Sequence, residues 1–413
     1  MKPVKIALLL LALVAAFALY LVAWPTGMNP VAWTPPPAPK LEGVYAYNEK
    51  LKGIQKLAQG VGVGPEGVNV DAVGRVYAGY KDGRIVALTP DGASYTEMAN
   101  TGGRPLGITF GPNGGLVIAD AKKGLLHLGK KLKRLAKEAD GVPFGFTDDV
   151  DNTRLDKNVY FTDASSKFGY GKHMTDLLEH GANGRLLEYN VVTRKTRVLL
   201  SALHFANGVA VGPEDEYVLV NETGEYRILR YWLKGVKAGT HDVFIDNLPG
   251  FPDNLSYNDR GMFWVAIFAP RDALLDELLP GNEYLRTVIS KLPAFLQPRP
   301  KKHAFVLGID TTGKVVANLQ YAGDDAYAPI TSVREKGPWL YFGSLMYPAV
   351  GRMPLNQAIP DAIPPPPGWD TVPDAKLVPK QKTREDLEEE REEQLRKQGA
   401  GAGEEEEDED ERD

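Results

Sequence analysis

Six copies of one short pattern run through the chain, and this repeat constrains the fold more than any other feature. Each copy has a variable first residue, an apolar residue two positions later, a turn rich in Gly, Asp, Asn or Pro, and then an apolar strand. The copies are EGVNVDAVGRVYAGY from Glu66, LGITFGPNGGLVIAD from Leu106, DDVDNTRLDKNVYFTD from Asp148, NGVAVGPEDEYVLVN from Asn207, DNLSYNDRGMFWVAI from Asp253 and TSVREKGPWLYFGS from Thr331. A repeat of this kind predicts the overall architecture more reliably than the pattern of any single helix or strand.

The spacing of the copies is typical of a β-propeller. Their apolar strands begin 40, 43, 58, 46 and 77 residues apart, near Val76, Leu116, Val159, Tyr217, Phe263 and Leu340. Most copies are followed by a second β run, such as GRIVALTPDG, and the 43 Gly and 31 Pro supply turns. A period of about 40 to 45 residues with several short strands indicates one blade, and longer intervals hold insertions. We therefore expect an all-β, six-bladed β-propeller over residues 46–360.

The longest interval contains a segment of different character. Its sequence RDALLDELLPGNEYLRTVISKLPAFL is rich in helix formers. We expect this segment to be an insertion with helical character that lies over one face of the propeller.

The first residues of the six copies are candidate site residues. They precede their strands by 9 to 11 positions, and four of the six carry carboxylate or amide oxygens: Glu66, Asp148, Asn207 and Asp253. Because the inner strand of each blade starts from one rim of the central channel, these side chains should crowd around one end of it. Burying such charges is costly without a counter-charge.

An oxygen cluster of this kind suits a hard divalent cation. Three carboxylates and an amide fit the flexible coordination sphere of Ca²⁺ better than that of Zn²⁺. In the fifth copy, GFPDNLSY places Asn254 directly after Asp253, so Asn254 is expected to join the metal shell or to orient it. The alternative is that these residues only cap turns through local hydrogen bonds.

The N-terminus predicts a membrane anchor over residues 1–24. Residues 6–24 form an uncharged apolar run of 19 residues, and a helix of that length covers roughly 28 Å, close to the thickness of the hydrocarbon core. Because Lys2 and Lys5 precede the run, we expect a single-pass protein with its N-terminus in the cytoplasm and the propeller outside it. A cleaved signal peptide is the alternative, with Ala16-Phe17-Ala18 as its cleavage site.

Polar segments flank the propeller on both sides. Residues 25–45 are Pro-rich and are expected to form a stalk. Residues 361–413 form a Pro-rich connector and an acidic tail that we expect to be disordered, and the alternative role for this tail is binding of a basic protein partner. Residues 404–413 hold nine acids and one Arg, a charge of -8, so the rest of the chain is near +2 against a total of -6. No basic stripe for nucleic acid is present.

Cysteine and histidine usage narrows the chemistry. The absence of Cys rules out disulfides, a catalytic thiol and thiolate metal sites. The six His residues form no motif. His204, three positions before Asn207, is the one that we retain as a catalytic candidate.

Several short sequence segments of the propeller region resemble those of a known family. YFTDASSKF, LLEHGANGRLLEYN, FANGVAV, YRILRYWLKGVKAGT and LPGFPDNLS resemble the strictosidine synthase-like family, which includes the adipocyte plasma membrane-associated proteins. The resemblance extends from about Pro65 to Leu355. It implies membership of the superfamily of six-bladed calcium propellers that contains paraoxonases, gluconolactonase/regucalcin and diisopropyl fluorophosphatase.

The resemblance implies roles for particular residues. The metal ligands of the superfamily fall on Glu66, Asp148, Asn207 and Asp253, and similar hydrolases use the aspartate that matches Asp253 as nucleophile or general base. Family members usually carry Asn at the position of Asp148, so one extra negative charge is expected beside the metal.

Two departures from related enzymes bear on the reaction. The catalytic His of paraoxonases is matched by Leu106, and the catalytic glutamate of the alkaloid-forming synthases is matched by Thr331. The sequence therefore favours a membrane-anchored, Ca²⁺-dependent hydrolase of small-molecule lactones or aryl esters. The alternatives are a non-catalytic propeller stabilised by calcium, which binds a partner, and, more remotely, a lyase of the strictosidine synthase type.

Overall fold

The computed structural model describes residues 3–360 apart from 113, 154–156, 294 and 298. This part of the chain contains six four-stranded antiparallel sheets, which form the six blades of a β-propeller. The predicted fold class is thereby confirmed. The predicted connector and acidic tail, residues 361–413, lie outside the described residues.

The first three blades follow one another along the chain, after a short strand β1 (Gln55–Leu57). Blade one contains β2 (Val68–Val70), β3 (Val76–Gly79), β4 (Arg84–Leu88) and β5 (Tyr95–Asn100). Blade two contains β6 (Pro105–Phe110), β7 (Leu116–Asp120), β8 (Gly124–Leu128) and β9 (Leu132–Ala136). A small hairpin of β10 (Glu138–Ala139) and β11 (Val142–Pro143) precedes blade three, which contains β12 (Thr147–Asn152), β13 (Asn158–Asp163), β14 (Gly184–Asn190) and β15 (Lys195–Leu203).

The last three blades complete the ring. Blade four contains β16 (Ala206–Val211), β17 (Tyr217–Glu222), β18 (Arg227–Trp232) and β19 (His241–Ile245). Blade five contains β20 (Gly250–Tyr257), β21 (Met262–Pro270), β22 (Ala304–Asp310) and β23 (Val315–Tyr321). Blade six contains β24 (Ser332–Lys336), β25 (Trp339–Gly343) and β26 (Val350–Pro354), and its fourth strand is β1.

Blade six therefore joins the two ends of the propeller. Strand β1 pairs antiparallel with β26, with Gln55 opposite Arg352 and Leu57 opposite Val350. Since an unpaired sheet edge is a site for association with other chains, this pairing also covers one edge of blade six.

Apolar side chains pack between neighbouring blades. Trp264 of blade five and Phe342 of blade six are fully buried in one such layer, and Phe161 of blade three lies in another. Burying one side chain of this size contributes about 1.5 to 3 kcal/mol. Packing of these apolar layers thus holds neighbouring blades together along most of their length.

The second strands of the blades begin where the repeat predicts them. Strands β3, β7 and β17 start at the predicted residue, and β13, β21 and β25 start one residue earlier. The turn between the first and second strands of each blade is therefore the feature that the repeat encodes.

Five α-helices accompany the strands in the part of the chain that the structure describes. They are α1 (Pro3–Ala23), α2 (His173–Glu179), α3 (Ala273–Leu278), α4 (Glu283–Lys291) and α5 (Leu355–Ala358). The insertion in blade five is helical as predicted, since it contains α3 and α4. Both α2 and the pair α3–α4 connect the second and third strands of their blades, at the end where the inner strands begin.

Helix α1 is long and apolar enough to cross a bilayer, and none of its 21 residues is buried. These are properties that a membrane span and a signal sequence share.

Residues 29–37, which we name the strap, lie against the propeller. Val31 N–H donates to Glu179 O at 2.8 Å, Trp33 N–H donates to Leu279 O at 2.9 Å, and Pro36 O accepts from Arg271 at 2.8 Å. The expected stalk is therefore not free along this stretch. An extended Pro-rich chain leaves its backbone groups without internal partners, so they pair with the loops beside them.

Candidate metal and catalytic site

The inner strands of four blades bulge at the first residue of the repeat. Their pairing with the second strand shifts register between Pro105 and Ile108, Thr147 and Val150, Ala206 and Val209, and Pro252 and Leu255. A bulge inserts an unpaired residue and re-aims its side chain. The re-aimed residues include Leu106, Asp148, Asn207 and Asp253.

These side chains meet at one end of the propeller. Glu66, Leu106, Asp148, Asn207 and Asp253 all line a single cavity of about 350 Å³, and all five are buried. Thr331, the first residue of the sixth copy, is fully buried but does not line this cavity. The repeat positions thus converge, and carboxylates and an amide dominate the polar part of the cavity.

Close contact between blades near the axis requires glycine after three of these residues, namely Gly67 after Glu66, Gly107 after Leu106 and Gly208 after Asn207. A Cβ on Gly107 would lie 2.6 Å from Cα of Asp149, and one on Gly208 would lie 2.6 Å from Cα of Asn254. Since real Cβ atoms do not approach so closely, neighbouring inner strands touch through their backbones here. The equivalent positions in blades three and five carry side chains instead, and these are Asp149 and Asn254.

Asn254 orients Glu66. Its Nδ2 donates a hydrogen bond of 2.7 Å to Oε1 of Glu66, and its backbone N–H donates to Thr331 O at 3.0 Å. Asn254 does not line the cavity but faces a narrow space further along the axis, with Asp149. It therefore sits beneath the polar cluster.

In blades three and four, residues of the second strand or directly after it support the site residue of the next blade. Thr162 of blade three donates to the carbonyl of Asn207 at 2.6 Å, and Thr223, after blade four's second strand, donates to the carbonyl of Pro252 at 2.7 Å. The Asn221 amide donates to the carbonyl of Asp253. These bonds fix the backbone that carries Asn207 and Asp253, as ligand-supporting bonds do in metal sites.

Burial and mutual repulsion raise the pKa values of the clustered carboxyls. Burial raises the pKa of Glu66 to about 7, and the nearby charge of Arg104 and the bond from Asn254 oppose the rise. The pKa values of Asp148 and Asp253 are raised well above their usual range, first by burial and then by the charge of Glu66. Without a cation, the cluster cannot be fully ionised at neutral pH.

Several oxygens of the cluster lack partners. Glu66 Oε2, Asn207 Oδ1 and Asn254 Oδ1 are buried, and none has a hydrogen-bond partner among the described residues. Buried polar atoms are almost always paired. Unpaired carboxylate and amide oxygens beside raised pKa values are a donor set that a hard divalent cation fits.

Apolar side chains form most of the cavity wall. Helices α2, α3 and α4 contribute Leu177, Leu275 and Ile289, and the blades contribute aromatic residues such as Phe146 and Phe251. Sites for small molecules commonly combine such walls with a few convergent polar groups. The cavity therefore suits a largely apolar ligand with one polar centre directed at the axis.

His204, the histidine that we retained from the sequence, lies away from the cavity. Its ring stacks on His180 at a centroid distance of 4.5 Å, and its Nδ1 lies 3.3 Å from Glu225 Oε1 and 3.5 Å from Glu222 Oε1. It does not line the cavity, whereas His173 on α2 does. The loop before β16 turns the His204 side chain outward, although Asn207 three residues later faces the axis.

The His204 stack belongs to the attachment of the strap. Trp33 stacks on the other face of His180, again at 4.5 Å. Ligand-type atoms of His180, His204 and Glu225 lie within 4.8 Å of one another. However, the two imidazole rings are nearly parallel, at 18°, so their lone pairs do not converge on a metal position. Glu225 instead faces a nitrogen of each ring.

Sequence reasoning missed two charged residues beside the cluster. Arg104 is fully buried, donates to Gly64 O at 2.8 Å and supplies positive charge near Glu66. Asp149 accepts from the Val209 and Val150 backbones at 3.0 and 2.8 Å, and burial raises its pKa to about 8. Arg104 lies two residues before the second copy, and Asp149 is the second residue of the third copy, so both stand next to the aligned first residues Leu106 and Asp148.

Two family models match the chain. The strictosidine synthase model matches residues 148–236, and the model for the N-terminal region of strictosidine synthase-like proteins matches residues 43–88. The first of these ranges contains Asp148 and Asn207.

Curated relatives match over most of their length. Adipocyte plasma membrane-associated protein from Bos taurus is 34% identical over 364 residues, which are 82% of this chain and 87% of the relative. Protein STRICTOSIDINE SYNTHASE-LIKE 6 from Arabidopsis thaliana is 36% identical over 319 residues, 75% of this chain and 84% of the relative. The matches thus span the propeller in animal and plant proteins.

Solved structures share the fold at low sequence identity. A gluconolactonase from Xanthomonas campestris has a TM-score of 0.52 and 13% identity, covering 73% of this chain and 90% of the other. A luciferin-regenerating enzyme has a TM-score of 0.50 and 15% identity, covering 72% and 94%. At such identities the likeness concerns the fold alone, whereas the sequence matches are specific: this chain belongs to the strictosidine synthase-like family, together with the adipocyte plasma membrane-associated proteins.

Proposed function

We propose that this protein is a membrane-anchored, Ca²⁺-dependent hydrolase of lactones or aryl esters. The observation that carries the proposal is the buried cluster of Glu66, Asp148, Asn207 and Asp253 at the axial end of an apolar cavity. Raised pKa values and unpaired oxygens at this cluster mark a place where a cation would offset the cost of burying the carboxylates. A propeller of the same fold is named a gluconolactonase, which supports a lactone as one substrate class.

Ca²⁺ is the cation that the donor set favours. The proposed ligands are the three carboxylates and the Asn207 amide oxygen, with Asn254 able to contribute its free Oδ1. Hard oxygen donors without imidazole or thiolate suit Ca²⁺ or Mg²⁺. An irregular, bulged backbone is better matched to the variable coordination number of Ca²⁺ than to the strict octahedron of Mg²⁺.

The bound cation, Asp253 and the apolar cavity wall would each have a separate role in hydrolysis. When bound, the cation would polarise the substrate carbonyl and stabilise the oxyanion that develops on it. Asp253, whose backbone is held by Asn221 and Thr223, either attacks the carbonyl carbon directly or removes a proton from the attacking water. The apolar walls orient the alkyl or aryl part of the substrate and exclude bulk water.

Two positions that hold catalytic residues in related enzymes, a histidine in paraoxonases and a glutamate in the alkaloid-forming synthases, carry side chains here that cannot serve as acids or bases. Leu106 lines the cavity but cannot transfer protons, and the buried Thr331 hydroxyl cannot replace a glutamate base. This composition supports hydrolysis that depends on Asp253 and disfavours the condensation of the alkaloid-forming synthases.

The membrane placement is part of the proposal. Helix α1 is taken as an uncleaved span, with residues 1–24 as anchor and the propeller (46–360) on the non-cytoplasmic side. Its length and its lack of buried residues support this placement, as do Tyr20 and Trp24 at its C-terminal end, where aromatic residues favour the interface.

The decisive experiment is a panel of lactones and aryl esters, assayed with the purified protein in Ca²⁺ and in chelator. We expect hydrolysis that is lost in chelator and restored by added Ca²⁺. Binding of Ca²⁺ without turnover of any substrate would instead favour the alternative, a propeller stabilised by calcium that binds its ligand without chemistry.

A further inference from the structure

Helix α4 buries both of its cations and exposes two large apolar side chains beside the exposed Glu283 at its first position. Its two cations are buried, with Arg286 0% and Lys291 8% exposed, whereas Tyr284 and Leu285 are 60% and 44% exposed. On a surface helix in water the apolar residues face the core and the charges face solvent. The outer face of α4 is therefore suited to an apolar neighbour.

The buried cations of α4 bind backbone carbonyls rather than acids. Arg286 donates to Val31 O of the strap at 3.0 Å and to Leu178 O of α2 at 3.1 Å. Lys291 Nζ donates to Leu21 O at 2.8 Å, one of the last four carbonyls of α1, which have no partner within that helix. Both cations thus fix α4 to the segment that leads out of α1.

This contact places α4 beside the end of the proposed membrane span. Lys291 touches α1 two residues before its last residue, Ala23. Leu285 lies six residues earlier, roughly 9 Å along the axis of α4. Amphipathic helices at membrane surfaces insert their apolar face about 5 to 10 Å into the headgroup boundary. The exposed face of α4 thus begins roughly 9 Å from the residue that contacts the proposed span.

The same end of the molecule holds the mouth of the cavity. Leu274 and Met346 line the cavity and are 48% and 63% exposed, and Lys81 and Arg299 line it from exposed positions. Ile289 joins the two features, because it lines the cavity from α4 itself. Apolar residues mixed with basic ones are the composition that binds lipid surfaces.

We propose that the outer face of α4 is seated in the headgroup region of the bilayer that α1 crosses, so that the cavity opens at the membrane surface and takes lipophilic ligands from it. The seating rests on α1 as a membrane span, and hydrolysis of such ligands rests on the proposed function. A bilayer is favoured over a protein partner because the bond between Lys291 and Leu21 brings the lipid beside α4 in every anchored molecule.

Single-cysteine labelling of the full chain tests this seating, because the natural sequence has no Cys. An environment-sensitive fluorophore would be attached at Tyr284→Cys or Leu285→Cys, with the protein reconstituted in phosphatidylcholine vesicles with or without phosphatidylserine. Matched controls are Val192→Cys and Val236→Cys, which are exposed apolar residues in loops at the opposite end of the blades. Leu13→Cys in α1 reports whether the span is in the bilayer.

The α4 labels should be blue-shifted, quenched by nitroxide lipids and protected from aqueous iodide, while both control labels should show the reverse. Iodide quenching of the α4 labels equal to that of the controls overturns the proposal, whether or not the Leu13 label is in lipid. The proposal would also be overturned if the α4 labels became protected only when a protein partner was added and not when lipid was present.

Activity gives a second arm that separates this proposal from the proposed function. The double variant Tyr284→Ser and Leu285→Ser should lose turnover of an ester dissolved in vesicles and keep turnover of a short water-soluble ester. Equal losses on both substrates would contradict delivery from the membrane. If the natural protein hydrolyses neither ester, the proposed function fails while the labels still decide the seating of α4.

Discussion

The side-chain amide of Asn254 donates a 2.7 Å hydrogen bond to Oε1 of Glu66, across 188 positions of sequence. The bond links blade five to the segment that enters blade one. It leaves Oε2 of Glu66 and Oδ1 of Asn254 free. Asn254 thus holds one ligand oxygen in place while the other stays available to a cation.

The first prediction concerns this bond. Asn254→Ala should weaken Ca²⁺ binding by about 10- to 100-fold, the usual effect of removing a group that orients a metal ligand. Isothermal titration calorimetry of the purified protein measures it. Asn258→Ala is a matched control: Asn258 directly follows β20, at the end of that strand away from the cluster, and donates a 3.0 Å bond to Glu335 of β24. Equal affinities for the two variants would contradict an orienting role for Asn254.

The second prediction is the pH dependence of the metal-free protein. Burial raises the pKa of Glu66 to about 7 and that of Asp149 to about 8, compared with about 4 in an unfolded chain. The folded state therefore binds more protons than the unfolded state between these values, and the free energy of unfolding falls as pH rises. This stabilisation is fully present below about pH 4 and is lost as the pH rises through about 7 to 8.

Thermal unfolding in chelator should accordingly show a lower midpoint at about pH 8 than at about pH 5.5. Saturating Ca²⁺ should reverse the difference, because cation binding to the ionised cluster stabilises the native state and competes with protons. Identical midpoints in calcium and chelator at the higher pH would argue against a metal site at these residues.

The sequence predicted the blades well because a propeller repeats one physical solution. A turn and an apolar strand recur in each blade, so the second strands of blades such as one and four begin at the predicted Val76 and Tyr217. The same repetition predicted that the side chains of the first residue of each copy would point towards the propeller axis. The bulges that turn Asp148 and Asn207 toward the axis were not visible, since a bulge depends on pairing with the second strand.

Predictions from a single, non-repeated segment were less accurate, because they could not include contacts with distant parts of the chain. The proximity of His204 to Asn207 in sequence says nothing about which way a loop side chain turns, and the structure stacks it on His180. The Pro-rich composition of residues 25–45 predicted an extended stalk that projects from the propeller. It could not disclose that Arg271 and Arg286 bind the carbonyls of that segment from 200 residues away or more.

The third prediction separates His204 from catalysis. His204→Ala should leave turnover unchanged, because the imidazole does not line the cavity. It should instead loosen the Trp33–His180 stack and increase cleavage of the strap in limited proteolysis, which reports local opening. His127→Ala, at a half-buried position in blade two far from the strap, should change neither quantity. If His204→Ala lost turnover while the strap remained as resistant to protease as in the wild-type protein, His204 would again be a catalytic candidate.

The fourth prediction distinguishes the anchor from the strap. Removing residues 1–24 should release the protein from membranes and lower its melting temperature only slightly, because α1 buries none of its residues, although the bond from Lys291 to Leu21 O is lost. Removing residues 1–40 also deletes the hydrogen bonds of Val31, Trp33 and Pro36. Each such bond contributes about 0.5 to 1.5 kcal/mol, so the melting temperature should fall by about 5 °C or more. Equal melting temperatures of the two truncated proteins would show that the strap does not stabilise the propeller.

The last prediction separates catalysis from metal binding within the cluster. Asp253→Asn keeps the size of the side chain and one ligating oxygen but removes the nucleophile or base, so turnover should fall by orders of magnitude while Ca²⁺ still binds, more weakly. Asn207→Ala removes a ligand oxygen and leaves Asp253 intact, so its activity should be partly recovered at high Ca²⁺. Steady-state kinetics across a calcium titration, with affinities from calorimetry, compare the two variants directly. If Asp253→Asn turns over substrate at a near wild-type rate, Asp253 has no chemical role even where the metal site is real, because its carboxylate would then act only through the cation.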